Sequence, residues 1–235
     1  MNGQAAGPAA AWRARSLKGA PMRRWRATLA GMLLTAAAAT AFAGSYDDFF
    51  RAIRRDDPRA IRQLLLRGFD ADTRDPQGRS GLHLALQVES YVAADALLGA
   101  PSIAVDEPNA NDETPLMLAA LKGELALCQR LVARGAQVIR PGWAPLHYAA
   151  SAPQRGEAIV DWLISRGADV DAEAPNGTTP LMMAARYGSF ASVERLLAAG
   201  AATHVANDQG LRASDFAETA GRSALAKRLT VGAGK

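Results

Sequence analysis

A short pattern that returns at nearly constant spacing constrains this chain more than any other feature. Thr179-Pro180-Leu181-Met182-Met183-Ala184-Ala185 runs on through Gly188 to Val193, Leu196-Leu197 and Gly200-Ala201. Thr114-Pro115-Leu116-Met117-Leu118-Ala119-Ala120 leads through Gly123 to Leu131-Val132 and Gly135-Ala136. Ala144-Pro145-Leu146-His147-Tyr148-Ala149-Ala150 leads to Ile159-Val160, Leu163-Ile164 and Gly167-Ala168, and Ser80-Gly81-Leu82-His83-Leu84-Ala85 to Leu97-Leu98. The marker leucines 82, 116, 146 and 181 are spaced by 34, 30 and 35 residues.

Each copy spells two short helices. A threonine or serine at the start accepts a hydrogen bond from an otherwise orphaned backbone N–H. Proline follows at the first helical position, where no N–H is missed. One large residue and two alanines then give an apolar stripe thin enough for a second helix to approach closely. Gly188 and its counterpart Gly123 are expected to stop the first helix. Val193, Leu196 and Leu197 supply the apolar face of the second, and Gly200 the left-handed exit that helix ends favour. Neither helix buries enough to stand alone, so each unit needs copies of itself on both sides.

In Thr-Pro-Leu-His, Ala-Ala, Gly, Val, Leu-Leu and Gly-Ala, the unit resembles the ankyrin repeat, whose period is roughly 33 residues. The resemblance implies an all-α ankyrin-repeat solenoid of about six helix-turn-helix repeats joined by hairpin-like loops. In the register of the motif they span residues 45–73, 74–107, 108–140, 141–173, 174–206 and 207–230 within a domain of 44–230, followed by a tail, 231–235. The first and last lack the full motif and read as caps. Phe50, Ile53, Ile61, Leu64, Leu65 and Gly68 keep helical spacing in the first, and Phe216, Ala220, Leu225 and Leu229 are expected to form the apolar side of the last. In the second, Gly81 replaces the proline and Glu89 the glycine after the first helix. The fourth is irregular at both ends: its loop is shortened between Gly135 and Ala144, and its turn Ser151-Ala152-Pro153-Gln154-Arg155-Gly156 is about two residues long for the pattern.

The charge of +4 is misleading. Of 27 Lys+Arg, six (Arg13, Arg15, Lys18, Arg23, Arg24, Arg26) lie in residues 1–43, which hold no acid; the remaining 21 face 23 Asp+Glu, a net of −2. No basic stripe remains to neutralise phosphates, which argues against nucleic-acid binding. Residues 1–43 read as a leader, with a secretory signal over 22–43: Met22-Arg23-Arg24-Trp25-Arg26 is the cationic region, Leu29 to Phe42 the apolar region, and Ala41-Phe42-Ala43 the cleavage signal. An uncharged run of about 16 residues falls short of the roughly 20 a span requires. The expected product is a bacterial periplasmic or secreted protein, cleaved after Ala43, off the membrane and monomeric.

No catalytic, metal or cofactor site emerges. His83 and His147 hold the fourth place of the motif, where the resemblance implies that an imidazole bonds a neighbouring loop; Met117 and Met182 stand at the same place. His204 is alone in a loop. Cys128 sits at a buried outer-helix position and packs as a small hydrophobe. No Cys/His group has zinc spacing, and neither G-x-S-x-G nor a phosphate-binding loop is present. Asp169 and Asp171 offer too few oxygens for calcium.

Function then falls to exposed residues at equivalent repeat positions. After the inner-helix alanines stand Gln87, Leu121, Lys122, Ser151, Arg186 and Tyr187. Before each helix cap stand Arg79, Glu113, Trp143, Thr178 and Leu211. Trp, Tyr and Arg dominate binding energy at interfaces, which singles out Trp143, Arg186 and Tyr187. The resemblance implies a non-enzymatic protein-interaction module that holds another exported protein on this concave face. Alternatives are an immunity protein capping a toxin, a host-directed effector, or an enzyme centred on Trp143, His147 and Tyr148.

Overall fold

The computed structural model describes residues 44–231. The leader and residues 232–235 lie outside the described residues. Residues 44–54 are helical (α1), followed by α2 (Pro58–Leu66), α3 (Gly81–Gln87), α4 (Tyr91–Leu97), α5 (Pro115–Leu121), α6 (Leu125–Ala133), α7 (Pro145–Ser151), α8 (Gly156–Ser165), α9 (Pro180–Arg186), α10 (Phe190–Ala198), α11 (Ala213–Thr219) and α12 (Ser223–Val231). Odd-numbered helices are the inner ones. From α3 to α11 each packs on the next, while α2 stacks on α4, α6 on α8 and α8 on α10. The described residues contain no strand, only isolated bridges Arg74–Ser80 and Ala206–Arg212 at loop necks. The all-α repeat architecture expected from the sequence is the one observed.

The motif builds each inner helix by a fixed chemistry. Thr114 and Thr179 accept the N–H of Met117 and Met182, both at 3.4 Å, and Ser80 accepts that of His83. The fourth motif residue reaches back to the N–H of the capping residue itself. Met117 Sδ and Met182 Sδ accept at 3.4 Å, His147 Nδ1 accepts from Ala144 at 3.1 Å, and Asp215 Oδ2 accepts from Arg212 at 2.7 Å. Sulfur, imidazole nitrogen and carboxylate are interchangeable there because the site asks only for an acceptor. The alanine pairs 119/120, 149/150 and 184/185 are wholly buried, and one apolar core extends from Phe49 to Leu229.

Carboxylates and arginines join successive repeats through backbone groups. Asp72, Asp106 and Asp171 accept the N–H of Ala104, Gln137 and Ala202, at 3.0, 3.0 and 2.9 Å. Arg222 donates to the carbonyls of Ala184, Ala185 and Gly188, closing the open end of α9. Arg134 does the same beyond α4, on Leu98 and Ala100 at 2.6 Å each.

One expectation gains a different cause and another fails. α9 ends at Arg186 with Tyr187 as its C-cap, just before Gly188 as expected, but Gly188 does not take the left-handed φ of Gly123 (+73°) and Gly200 (+92°). A Cβ on Gly188 would overlap the Ala150 carbonyl oxygen and lie 2.9 Å from Ala184 Cα, so glycine is required there for close approach of α7 and α9. Ala220 is exposed; Phe216, Ala217, Leu225, Ala226 and Leu229 form the apolar side of the last repeat. The missing proline at 81 also has a cause. A Cβ there would stand 2.8 Å from the Phe49 ring and 3.0 Å from Ile53, the two large side chains with which α1 covers the array's first face.

The irregular fourth repeat keeps its core by absorbing length in its turns. Leu131 and Leu196 follow their marker leucines by 15 residues, Leu163 follows Leu146 by 17. The surplus is taken up by extended Ala152 (ψ 123°) and left-handed Arg155 (φ 58°). The loops before α3, α5, α9 and α11 each close on a backbone bond: Asp75–Arg79, Asn109–Glu113, Ala174–Thr178 and Asn207–Leu211, at 2.9 to 3.0 Å. Among the described residues the short loop before α7 has no such bond.

Candidate functional site

Where α5, α7 and α9 lie side by side, the irregular repeat opens an apolar bowl of about 540 Å³. It is lined by Leu121, Trp143, Tyr148, Ser151, Pro153, Met183 and Tyr187. Its origin is a register effect. The residue directly after the second alanine — Leu121 in α5, Arg186 in α9 — would reach over the face, but α7 carries only Ser151 there. Ser151 Oγ turns inward and donates to the His147 carbonyl at 2.7 Å, leaving space above it. Trp143, from the shortened loop, stands at one wall with its ring edge on His147, centroids 5.3 Å apart and planes at 71°. Tyr187, 52% exposed, forms the opposite side, and the Arg186 guanidinium lies over its ring at 5.1 Å.

Two of the hydroxyls lining the bowl, those of Ser151 and Tyr148, are spoken for. Tyr148 O–H donates to Glu113 Oε1 at 3.3 Å. Burial, with the Glu113 carboxylate beside it, pushes the phenol up to about 12, so it stays protonated at neutral pH. Basic side chains around the face are mostly neutralised: Lys122 by Glu89 (2.8 Å), Arg140 by Asp112 (2.9 Å) and Arg155 by Glu124 (3.1 Å). Arg186 has no carboxylate partner among the described residues. The bowl is therefore oily inside, with a carboxylate at its loop end and one uncompensated cation at its helix end.

No nucleophile is paired with a base here. Ser151 is committed to a backbone carbonyl. His147 is fully buried with both nitrogens engaged, Nδ1 by the Ala144 N–H and Nε2 by the Thr178 carbonyl at 3.0 Å, which fixes a neutral imidazole protonated at Nε2. His83 bridges in the same way, from Ser80 Oγ (2.8 Å) to the Glu113 carbonyl (3.0 Å). Burial lowers the pKa of both histidines. Cys128 is buried and its thiol is pushed up to about 12. Among the described residues no group of three or more His, Cys, Asp or Glu could hold a metal ion, and no helix is long and apolar enough to cross a membrane.

The structure gathers some of the sequence-selected residues and scatters others. Leu121, Trp143, Ser151 and Tyr187 meet at the bowl, with Glu113 and Arg186 at its edges. Gln87 and Leu211 are exposed away from its lining. Arg79 is tied to buried Asp75, whose pKa is lowered: burial opposes this, but the Arg79 hydrogen bonds and charge outweigh it. Lys122 is held by Glu89. Thr178 is 2% exposed, against expectation, because its carbonyl takes the His147 bond and its residue is pinned in the loop neck. Ser151 is 7% exposed, since its hydroxyl prefers a backbone acceptor to water. Tyr148, Met183 and Pro153 were not among the partner-binding positions, Tyr148 entering only through the alternative enzyme site. The first two share a motif position with Leu118, and only in the fourth and fifth repeats does that position face an unfilled neighbour.

The model of the family described as "Ankyrin repeats (3 copies)" matches residues 49–141, 92–174 and 146–233. The chain is 40% identical over 148 residues to neurogenic locus notch homolog protein 4 of Homo sapiens, covering 56% of this chain and 7% of that protein. It is 28% identical over 202 residues to ankyrin repeat protein nuc-2 of Neurospora crassa, covering 71% of this chain and 19% of that one. It thus spans less than a quarter of the length of these curated relatives. A crystal structure of an ankyrin repeat domain from Acinetobacter baumannii AYE superposes with a TM-score of 0.63 at 27% identity, covering 78% of this chain and 96% of that one.

Proposed function

Because this chain belongs to the ankyrin-repeat family, whose repeats generally mediate protein–protein interaction and are typically not catalytic, we propose that it is a recognition scaffold that captures another exported protein on the face formed by α5, α7 and α9. The observation that carries this reading is the apolar bowl ringed by Trp143, Tyr187 and Arg186, the residue types that anchor interfaces. The Ser151 and Tyr148 hydroxyls are internally satisfied, which suits docking and not bond-breaking. The exported compartment rests on the leader alone, and the fold by itself names no partner.

The test is affinity capture of the tagged chain from a periplasmic fraction. Trp143→Ala and Tyr187→Ala should each release what the unaltered chain retains, with unchanged melting. Retention by both variants would refute this face. Turnover of a small substrate by the purified chain would refute the non-enzymatic reading.

A further inference from the structure

Ligand pockets for small molecules combine apolar walls with a few free, converging polar groups. This bowl has the walls and a comparable volume, about 540 Å³, but two of the three hydroxyls in its lining are engaged within the chain. The Ser151 hydroxyl is spent on the His147 carbonyl and the Tyr148 hydroxyl on Glu113. The Tyr187 hydroxyl and the Trp143 indole N–H, on opposite walls, are the lining groups left without a hydrogen-bond partner among the described residues. Charge selection is left to the rim, and the rim is electrically lopsided. Lys122, Arg140 and Arg155 are each paired with a carboxylate, while Arg186 stands exposed over the Tyr187 ring without one. Glu113, at the opposite end, would repel a second anion.

Resting on the scaffold reading above, we infer that the bowl takes a single large apolar side chain from an extended protein segment, and that an acidic residue adjoining that side chain pairs with Arg186. The apolar anchor supplies burial, and the acid fixes the direction in which the segment crosses from α7 to α9. The charge on the partner is set by complementarity: an acid next to the anchor meets the Arg186 guanidinium, whereas a base there would meet like charge.

The probes are three fluorescein-labelled, capped hexapeptides: phenylalanine followed by two aspartates, phenylalanine followed by two lysines, and alanine followed by two aspartates. Anisotropy against the full chain should show the first binding at least tenfold tighter than either other. Arg186→Glu should reverse the preference between the two phenylalanine peptides. Ser151→Leu fills the bowl at a position where α5 already carries a leucine, and should abolish binding with melting unchanged. Should Ser151→Leu fold poorly, Leu121→Trp obstructs the bowl from its half-buried wall. Equal affinity for the aspartate and lysine peptides overturns the acidic partner. Binding that survives both filling variants, or no binding at all, overturns the bowl as the anchor site. Competition by phenylalanine amide alone as strongly as by the peptide assigns a small-molecule pocket and overturns the segment. A captured partner that Ser151→Leu retains but Tyr187→Ala releases would leave the scaffold reading standing while this inference fails.

Discussion

Gly188 and Gly200 look alike in the sequence, each following a short apolar helix, yet the structure separates them. Gly200 has φ +92° and open space where a Cβ would go. Its replacement by alanine therefore carries only left-handed strain, about 1–2 kcal/mol. At Gly188 the added carbon would overlap the Ala150 carbonyl oxygen and sit 2.9 Å from Ala184 Cα. Both are backbone atoms of packed inner helices, so no rotamer change relieves the contact. Overpacking of a well-filled core costs about 1–3 kcal/mol when side chains can adjust, and occasionally more. Here α7 and α9 must separate, which places Gly188→Ala at about 3 kcal/mol or above. Urea unfolding followed by helical circular dichroism reads the shift in midpoint at fixed slope. Asparagine, which tolerates the left-handed region, should recover part of the loss at 200 and none at 188. A smaller destabilisation for Gly188→Ala than for Gly200→Ala would refute close approach as the reason for glycine at 188.

Leu181→Ala and Leu116→Ala remove wholly buried side chains and should each cost about 2–5 kcal/mol in the same assay, while Arg186→Ala and Tyr187→Ala should shift it by a few tenths. His83 and His147 have folded pKa values below the ordinary 6.5, so the unfolded chain binds more protons beneath that value. Stability is full above about pH 6.5 and falls as pH drops from there toward the folded values; midpoints at pH 7.5 and 5.0 should differ, and His147→Met should flatten the difference. The Cys128 thiol, buried and pushed up to about 12, should react with a thiol reagent only as fast as the array opens, so that mild urea accelerates labelling and a rapid native reaction would contradict its burial. Backbone amides of residues 136–155 should exchange faster than those of 109–124, because the loop before α7 lacks the closing bond that Asn109 and Glu113 share; slower exchange there would contradict it.

The architecture was legible because its signals are local and repeated. A capping hydroxyl, a proline, a leucine and two alanines act within a few residues of one another, and recurrence near one period excludes accident. That His83 and His147 would bond neighbouring loops was implied by the resemblance to the ankyrin repeat at their motif position. The bowl was only half legible. Leu121, Trp143, Ser151 and Tyr187 could be picked as face positions, but not that Ser151 folds inward, that Thr178 is pinned beneath a histidine, or that Tyr148 and Met183 complete the wall. Those outcomes depend on which neighbour fills the space above each residue, and that neighbour lies some thirty residues away.

Sequence alone, then, determined the repeating helix pairs, their order, the buried stripe and the acidic balance of the domain, since each arises from short-range chemistry written into every copy. Tertiary structure decided the rest. Glycine at 188 is set by the distance between two helices, glycine at 81 by the Phe49 ring, and the bowl by two extra residues in one turn and three missing from one loop. A repeat fold fixes what its copies share; what differs among them acquires meaning only when the copies are stacked.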